Sequence, residues 1–469
     1  MKYIRTTAAL FFVFAVTYSV DAQNRIAEKK SVDFESLTDF ITCDLFDPDF
    51  LYGDCAYTGV ISASDGKLYF FVSSHNSDYA ARFYSFDPAK EKITLLGEMD
   101  KVLGEDAKKQ ISHGKVHTQL FEHKNKLWFA THISHYKDGL PSTNYRGKIP
   151  YSGGHFVSYD LQTGQFTDLA RIFGSEGIIT MTMDKHNEVL YGLTWPTGVL
   201  VSYDIKNNDL RYWGAVQKIA EWGHRGGTEW DMICRTLAID PCDFVYGSTM
   251  DGSIWKYDAS QPRRVSFIKG LDLSRVPFSQ SAKESTRGDF KNGWRTIEWN
   301  DKTNTFWGLH FHCTTLFEFD PAGDYIRAVD ELRPQAYRGM PTNPETSQLG
   351  FMVGPENTIF YLADGPAVQM QERRTLQSNL YLITYQIDKH KYTDHGPILS
   401  KDGRRVFFGE SIAIGADDHI YSVAWVEVAD KERIQQLRAA RTKGAPAETA
   451  RAVYEMLLVR LPRWQQFVK

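Results

Sequence analysis

The chain has little cysteine, 5 in 469 residues, which excludes a disulfide-built scaffold. It has no cationic excess either. Lys and Arg number 54 against 58 Asp and Glu, a net charge of -4, so nucleic acid is not an expected partner. After the N-terminus no apolar run approaches the ~18 residues that cross a bilayer, so no membrane span is expected. Phosphate-binding loops, dinucleotide glycine fingerprints, Gly-x-Ser-x-Gly elbows and His-Glu-x-x-His are all missing, and no organic cofactor is expected. With 42% hydrophobic and 24% charged residues, disorder, collagen and coiled coil are excluded as the main state.

Aromatic residues are abundant: 11 Trp, 24 Tyr and 29 Phe, which suits packed β structure. The first 22 residues read as a secretory signal. Lys2 and Arg5 supply the positive start, Ala8 to Val16 the short apolar run, and Val20-Asp21-Ala22 the small-residue cleavage site before Gln23. The mature chain is therefore expected to be soluble, secreted or periplasmic, and monomeric. In an oxidising compartment Cys43 and Cys55 are close enough in sequence to pair.

One phrase recurs along the chain: Tyr84-Ser85-Phe86-Asp87, Val157-Ser158-Tyr159-Asp160, Val201-Ser202-Tyr203-Asp204, Trp255-Lys256-Tyr257-Asp258 and Phe317-Glu318-Phe319-Asp320, with a looser copy at 383–388. Each copy reads as an alternating strand ending in a turn residue, preceded by a strand pair and often followed by a further strand. Four short strands repeated every ~40–75 residues is the pattern of propeller blades. The reading is an all-β, seven-bladed β-propeller. Six blades fall at about 57–105, 112–172, 177–217, 232–270, 292–330 and 347–398, and a seventh shows only its first two strands, 411–415 and 419–428. The propeller proper spans 51–428, and residues 23–50 are expected to close the ring. Residues 429–469 are expected to form a helical cap, with helices at 431–442 and 447–461.

In a blade, the start of the first strand, the end of the second and the start of the third share one rim. That rule gathers His117, His132, His135 and His155, with His113 and Lys115 just before and Tyr136, Tyr145 and Tyr151 in the same insertion. It also gathers Arg235 and Arg295, each opening an Arg-Thr-aliphatic phrase, and His224 and Arg225 before the fourth blade. A guanidinium there offers a planar fork for a carboxylate or sulfate, or else an ion pair between blades. Trp195 ends a second strand and serves as a sugar-stacking platform or as core. Cys234, His310, His312 and Cys313 lie at the same rim and form a donor set suited to one structural zinc ion, or else buried thiols beside core histidines. Cys242 falls at the far rim. The alternative chemistry, glycoside hydrolysis, needs paired carboxylates, for which Glu229, Asp231 and Glu410 are candidates.

A cationic, histidine-rich mouth on an exported propeller favours an anionic polymer and suits β-elimination at a uronic acid. Neutralising the carboxylate stabilises charge developing at C5, an imidazole or phenol removes the C5 proton, and a second donor assists the leaving O4. The blade phrases, together with Ala130-Thr131-His132 and Tyr151-Ser152-Gly153-Gly154-His155-Phe156, resemble the seven-bladed polysaccharide lyases. That group comprises the ulvan lyases and, more distantly, the oligogalacturonate lyases. The resemblance spans most of 50–428. It implies His117, His135, His155 and Tyr151 as proton-transfer groups, Arg235 and Arg295 as carboxylate partners, His132, Trp195 and Arg225 as substrate contacts, and a bound metal. Trp195 stands where a rim tyrosine is wanted. A non-catalytic glycan- or protein-binding propeller remains the other class of reading.

Overall fold

A computed structural model describes residues 31–33, 39–106, 108–134, 150–221, 230–261, 264–276, 292–311, 313–340, 348–369, 378–442 and 454–468. The protein is all-β. Five antiparallel four-stranded sheets follow one another along the chain, each built from consecutive strands in simple order. The first is Val60–Ser62, Leu68–Val72, Arg82–Asp87 and Lys92–Glu98. The second is Phe121–His123, Lys126–Ala130, His155–Asp160 and Phe166–Arg171. The third spans Gly177 to Ala215, the fourth Ala238 to Asp272 and the fifth Trp294 to Glu331. This is the strand pattern of a propeller.

The recurring phrase explains itself in these sheets. Each copy is a third strand, and its closing aspartate builds the turn into the fourth. Asp160 Oδ1 accepts the N–H of Gln162 (3.0 Å) and Thr163 (2.8 Å). Asp204 does the same for Lys206 and Asn207, and Asp320 for Ala322 and Gly323. A carboxylate that bonds the backbone two and three residues on is a local turn device. Third strands lie between neighbouring sheets and are almost wholly buried, whereas fourth strands such as Lys92–Glu98 alternate toward solvent. Each fully buried large apolar side chain contributes about 1.5–3 kcal/mol, and the clusters run from sheet to sheet without a break in kind.

Ser31–Asp33 pairs in parallel with Ala367–Gln369 as a separate two-stranded sheet, and nine of the remaining strands form one sheet. Its first half is Phe351–Gly354, Thr358–Gly365, Asn379–Gln386 and Lys391–Ser400. Its second half holds Val406–Gly409, Ala413–Ile414, His419–Glu427 and Tyr454–Arg463. Ile41–Phe46 joins the halves. Ile41 to Cys43 pair in parallel with Ile398 to Ser400, and Asp44 to Phe46 pair antiparallel with Arg460 to Leu458. Arg460 fixes the register by donating to Asp44 Oδ2 at 2.7 Å.

Two expectations are corrected here. The helix Lys431–Thr442 forms, but over the described part of the helix expected at 447–461 the chain is a central strand, Tyr454–Arg463. Cys43 lies in the strand Ile41–Phe46, Cys55 makes only an isolated bridge to Ser73, and all five cysteines are free thiols. Burial pushes the Cys43 thiol up to about 12.

Candidate functional site

First strands of the sheets enclose a central cavity of about 330 Å³, lined by Thr58, Gln119, Thr182, Leu237, Glu298 and Ser411 among others. Residues before or at the start of those first strands form a polar layer over it. Tyr57 and Lys115–His117 come from the entries to the first two sheets, Arg235 from the fourth, Arg295 from the fifth, and Glu410 from the turn before Ser411. His132 and Trp195 reach the same layer from the ends of second strands, and Glu221 from the segment leading to the fourth sheet. His117 lies stacked on Tyr57 at 3.8 Å, edge-on to His132 at 6.0 Å. His132 meets the Trp195 ring edge-on at 5.3 Å. The Tyr57 hydroxyl pairs with His75 Nε2 at 3.3 Å, and His75 Nδ1 with Asp54 at 3.0 Å.

Electrostatics set the protonation states. Burial, then the charge of Arg235, holds His117 well below the usual imidazole value; His132 is lowered by burial and then by Lys115. Both are therefore neutral near pH 7. Nδ1 of His117 is buried and makes no hydrogen bond to the described residues. Burial raises the Tyr57 phenol well above its usual value, so it keeps its proton. Burial also lowers the Lys115 ammonium, opposed by Cys55 and Asp54.

The guanidiniums are engaged. Arg235 Nη1 donates to Glu221 at 2.5 Å and to the Ile233 carbonyl at 2.8 Å. Glu221 also accepts Trp195 Nε1 at 2.9 Å and the Ile233 N–H at 2.9 Å. Arg295 pairs with Glu410 across the layer and lies 5.0 Å from the Phe311 ring. Burial raises Glu410, opposed by Arg295, whereas Glu221 stays lowered by Arg235 against burial. The layer thus carries cations and acids in pairs, so the ion-pair alternative for both arginines is realised. Trp195 is part of this scaffold, as the clamp on Glu221.

His155 and Tyr151 do not join His117. They close with His113 around Glu105, on the segment between the first two sheets. His113 Nε2 bonds Glu105 at 2.6 Å, and its Nδ1 meets the Tyr151 hydroxyl at 2.7 Å. His155 Nδ1 is captured by Asp168 of the neighbouring fourth strand at 2.8 Å, which is why it turns from the channel. Among the described residues the expected zinc donors Cys234, His310 and Cys313 do not gather as one metal-type group. Cys313 Sγ lies 3.2 Å from His310 Nδ1, but Cys234 Sγ turns to the Thr236 carbonyl. The described residues gather metal-type donors at Asp54, Cys55 and His75 and at Glu105, His113 and His155 instead. His135, Arg225 and His312, with Tyr136, Tyr145, His224 and Glu229, lie outside the described residues. Asp231 Oδ1 accepts the adjacent Met232 N–H.

No family model matches the chain, and no curated protein matches it in sequence. Among solved structures, a protein from Lactobacillus plantarum is 11% identical with a TM-score of 0.48, covering 85% of this chain and 99% of that one. A chain of a mitotic checkpoint complex is 12% identical with a TM-score of 0.45, covering 90% of this chain and 96% of that one. At this distance neither likeness bears on the chemistry.

Tyr57, His75 and Glu221 are the site members that motif reading missed. The rim rule finds the first two when applied to the first blade, since Tyr57 precedes a first strand and His75 follows a second. Glu221 sits in a connection that carries no repeat signal.

Proposed function

We propose that this protein is an exported seven-bladed propeller lyase that cleaves a uronate-containing, ulvan-like sulfated polysaccharide by β-elimination. On this reading the nine-stranded sheet counts as the sixth and seventh blades, joined by Ile41–Phe46. The observation that carries the proposal is the placement of His117, buried and stacked on Tyr57 at 3.8 Å. Burial and the charges of Arg235, Lys115 and Arg295 lower its value and so favour the neutral ring, and burial raises the Tyr57 phenol. A base must be neutral to accept a proton, and the surrounding cations stabilise the negative charge that develops on the uronate. His117 takes the C5 proton, the C5–H electron pair forms the C4–C5 double bond, the C4–O4 bond breaks, and Tyr57 protonates the leaving oxygen. Because Glu221 and Glu410 already occupy part of each guanidinium, Lys115 and the remaining N–H donors bind the carboxylate.

A second reading has its own support. Glu410 and Glu221 are two carboxylates at one mouth with values shifted in opposite directions, as an acid and a base of glycoside hydrolysis require. Incubation with ulvan, pectate, alginate and glycosaminoglycans separates the readings. The lyase releases products with unsaturated-uronate absorbance, and His117→Ala lowers that rate at least ~100-fold, the lower end of what general-base catalysis contributes. Reducing ends without absorbance transfer the case to the hydrolase. Affinity with no product on any polymer leaves a binding propeller.

A further inference from the structure

We propose that Glu105, His113 and His155 form a binding site for one divalent cation of the zinc class, separate from the channel mouth. The three residues come from distant chain positions. Glu105 lies past the first sheet, His113 before the second, and His155 opens the third strand of that sheet. One carboxylate oxygen and one ring nitrogen from each histidine lie within 4.8 Å of one another. Two imidazoles and a carboxylate are a donor set used for zinc and for other first-row divalent ions.

The orientation of the rings argues for an ion more strongly than their proximity. His155 Nδ1 sits 2.8 Å from Asp168 Oδ1, and an ionised carboxylate can only accept, so Nδ1 carries the proton. In the neutral ring, Nε2 is then a lone pair. It is buried in a residue only 4% exposed, makes no hydrogen bond, and faces Glu105 Oε1 at 3.5 Å. Two acceptors facing each other in a buried space repel unless a cation lies between them. Two donors each about 2.1 Å from a tetrahedral ion sit about 3.4 Å apart, close to the 3.5 Å gap at His155. The 2.6 Å hydrogen bond between His113 Nε2 and Glu105 Oε2 has to open and give up its proton for that imidazole to bind.

The outer contacts match a ligand shell. Metal-bound histidines hand their other ring nitrogen to a carboxylate, hydroxyl or carbonyl, which fixes ring orientation. Asp168 does this for His155; Tyr151 and Thr131 flank Nδ1 of His113 at 2.7 and 3.1 Å. Asp100 holds the backbone N–H of His113 at 2.8 Å. The group at Asp54, Cys55 and His75 differs in one respect: its single imidazole is engaged at both nitrogens, by Asp54 and Tyr57, and leaves no buried lone pair like that of His155 Nε2. An ion at Glu105 would tie the segment between the first two sheets to the strand beginning at His155.

The competing state is a doubly protonated His155 bridging Asp168 and Glu105 without metal. The full-length mature protein is stripped with chelator, reloaded with Zn²⁺ and desalted, and its metal content is measured. The expected result is one zinc per chain and a rise in Tm on reloading. Glu105→Gln and His155→Ala should lose the zinc, while His75→Ala should keep both the zinc and the Tm rise. Zinc below about one tenth of an equivalent in the wild type, or full retention in the two ligand variants, overturns the site. Should those variants fail to fold, Co²⁺ loading of the wild type and of His75→Ala decides. The visible absorption of histidine-ligated cobalt must appear in both proteins, and its absence from either overturns the proposal.

Discussion

At the residue scale, His117 and His132 are shaped by what refuses them a proton. Burial and the nearby cations Arg235 and Lys115 all act against the imidazolium form. Their folded values lie below the ordinary 6.5, so below that pH the unfolded chain binds more protons than the folded one. Stability from this source is complete above pH 6.5 and is lost as pH falls toward the folded values. Each histidine contributes a slope of about 1.4 kcal/mol per pH unit in that window. Raised carboxyls such as Glu298, at about 7 through burial, act in the opposite sense and blur the wild-type profile. A difference measurement isolates the imidazole. Urea unfolding at pH 7.5 and 5.0 should show His117→Gln losing less stability on acidification than wild type. Equal losses in the two proteins would mean that His117 titrates normally. The same residue scale shows what was legible. The pairing of His117 with Arg235 and Arg295 follows from blade position alone. The departure of His155 does not, because it depends on Asp168, an unremarkable residue of an outer strand.

At the scale of the element, the third sheet begins with Gly177, and that choice concerns the neighbouring sheet. A Cβ at Gly177 would lie 2.0 Å from His132 Nδ1 and 2.8 Å from its Cε1. The missing side chain makes the space in which the His132 ring lies against Trp195 and faces His117. Gly177→Ala should therefore turn His132 out of the layer. Overpacking of this kind costs about 1–3 kcal/mol, which a large propeller tolerates, so the variant should fold with a lowered Tm. Under the lyase reading its rate should fall at least tenfold while its far-ultraviolet dichroism stays unchanged. Full activity would show that His132 is not needed where it stands. Local pattern also has a limit visible at this scale. Third strands were legible because each ends in a turn-building aspartate. Tyr454–Arg463 was not, since Glu455, Met456, Leu457 and Leu458 are good helix formers. Their strand state is imposed by partners on both sides, His419–Glu427 and Ile41–Phe46.

For the whole molecule, the decisive feature is that two strands far apart in sequence, Ile41–Phe46 and Tyr454–Arg463, meet in one sheet. Ile41–Phe46 pairs with Lys391–Ser400 through one half and with Tyr454–Arg463 through the other. Tyr454–Arg463 is itself buried along most of its length, and Leu457, Val459 and Leu461 pack against Ile41, Cys43 and Leu380. The unit 51–428 that the repeats mark out in the sequence therefore lacks two adjacent strands. Ending the chain at Val428 would strip His419–Glu427 of one neighbour and leave Ile41–Phe46 holding only its parallel half. It would also expose the apolar partners of Met456 and Leu458, including Tyr421 and Val423. An open, hydrophobic sheet edge is a template for association. The truncated protein should lose the single cooperative melting transition of the full chain and should aggregate. The same loss is expected when residues 23–50 are removed instead, because either deletion breaks the same joint. Should the chain ending at Val428 melt cooperatively at the full-length Tm, closure through Tyr454–Arg463 would be dispensable, and the repeats alone would define the folding unit.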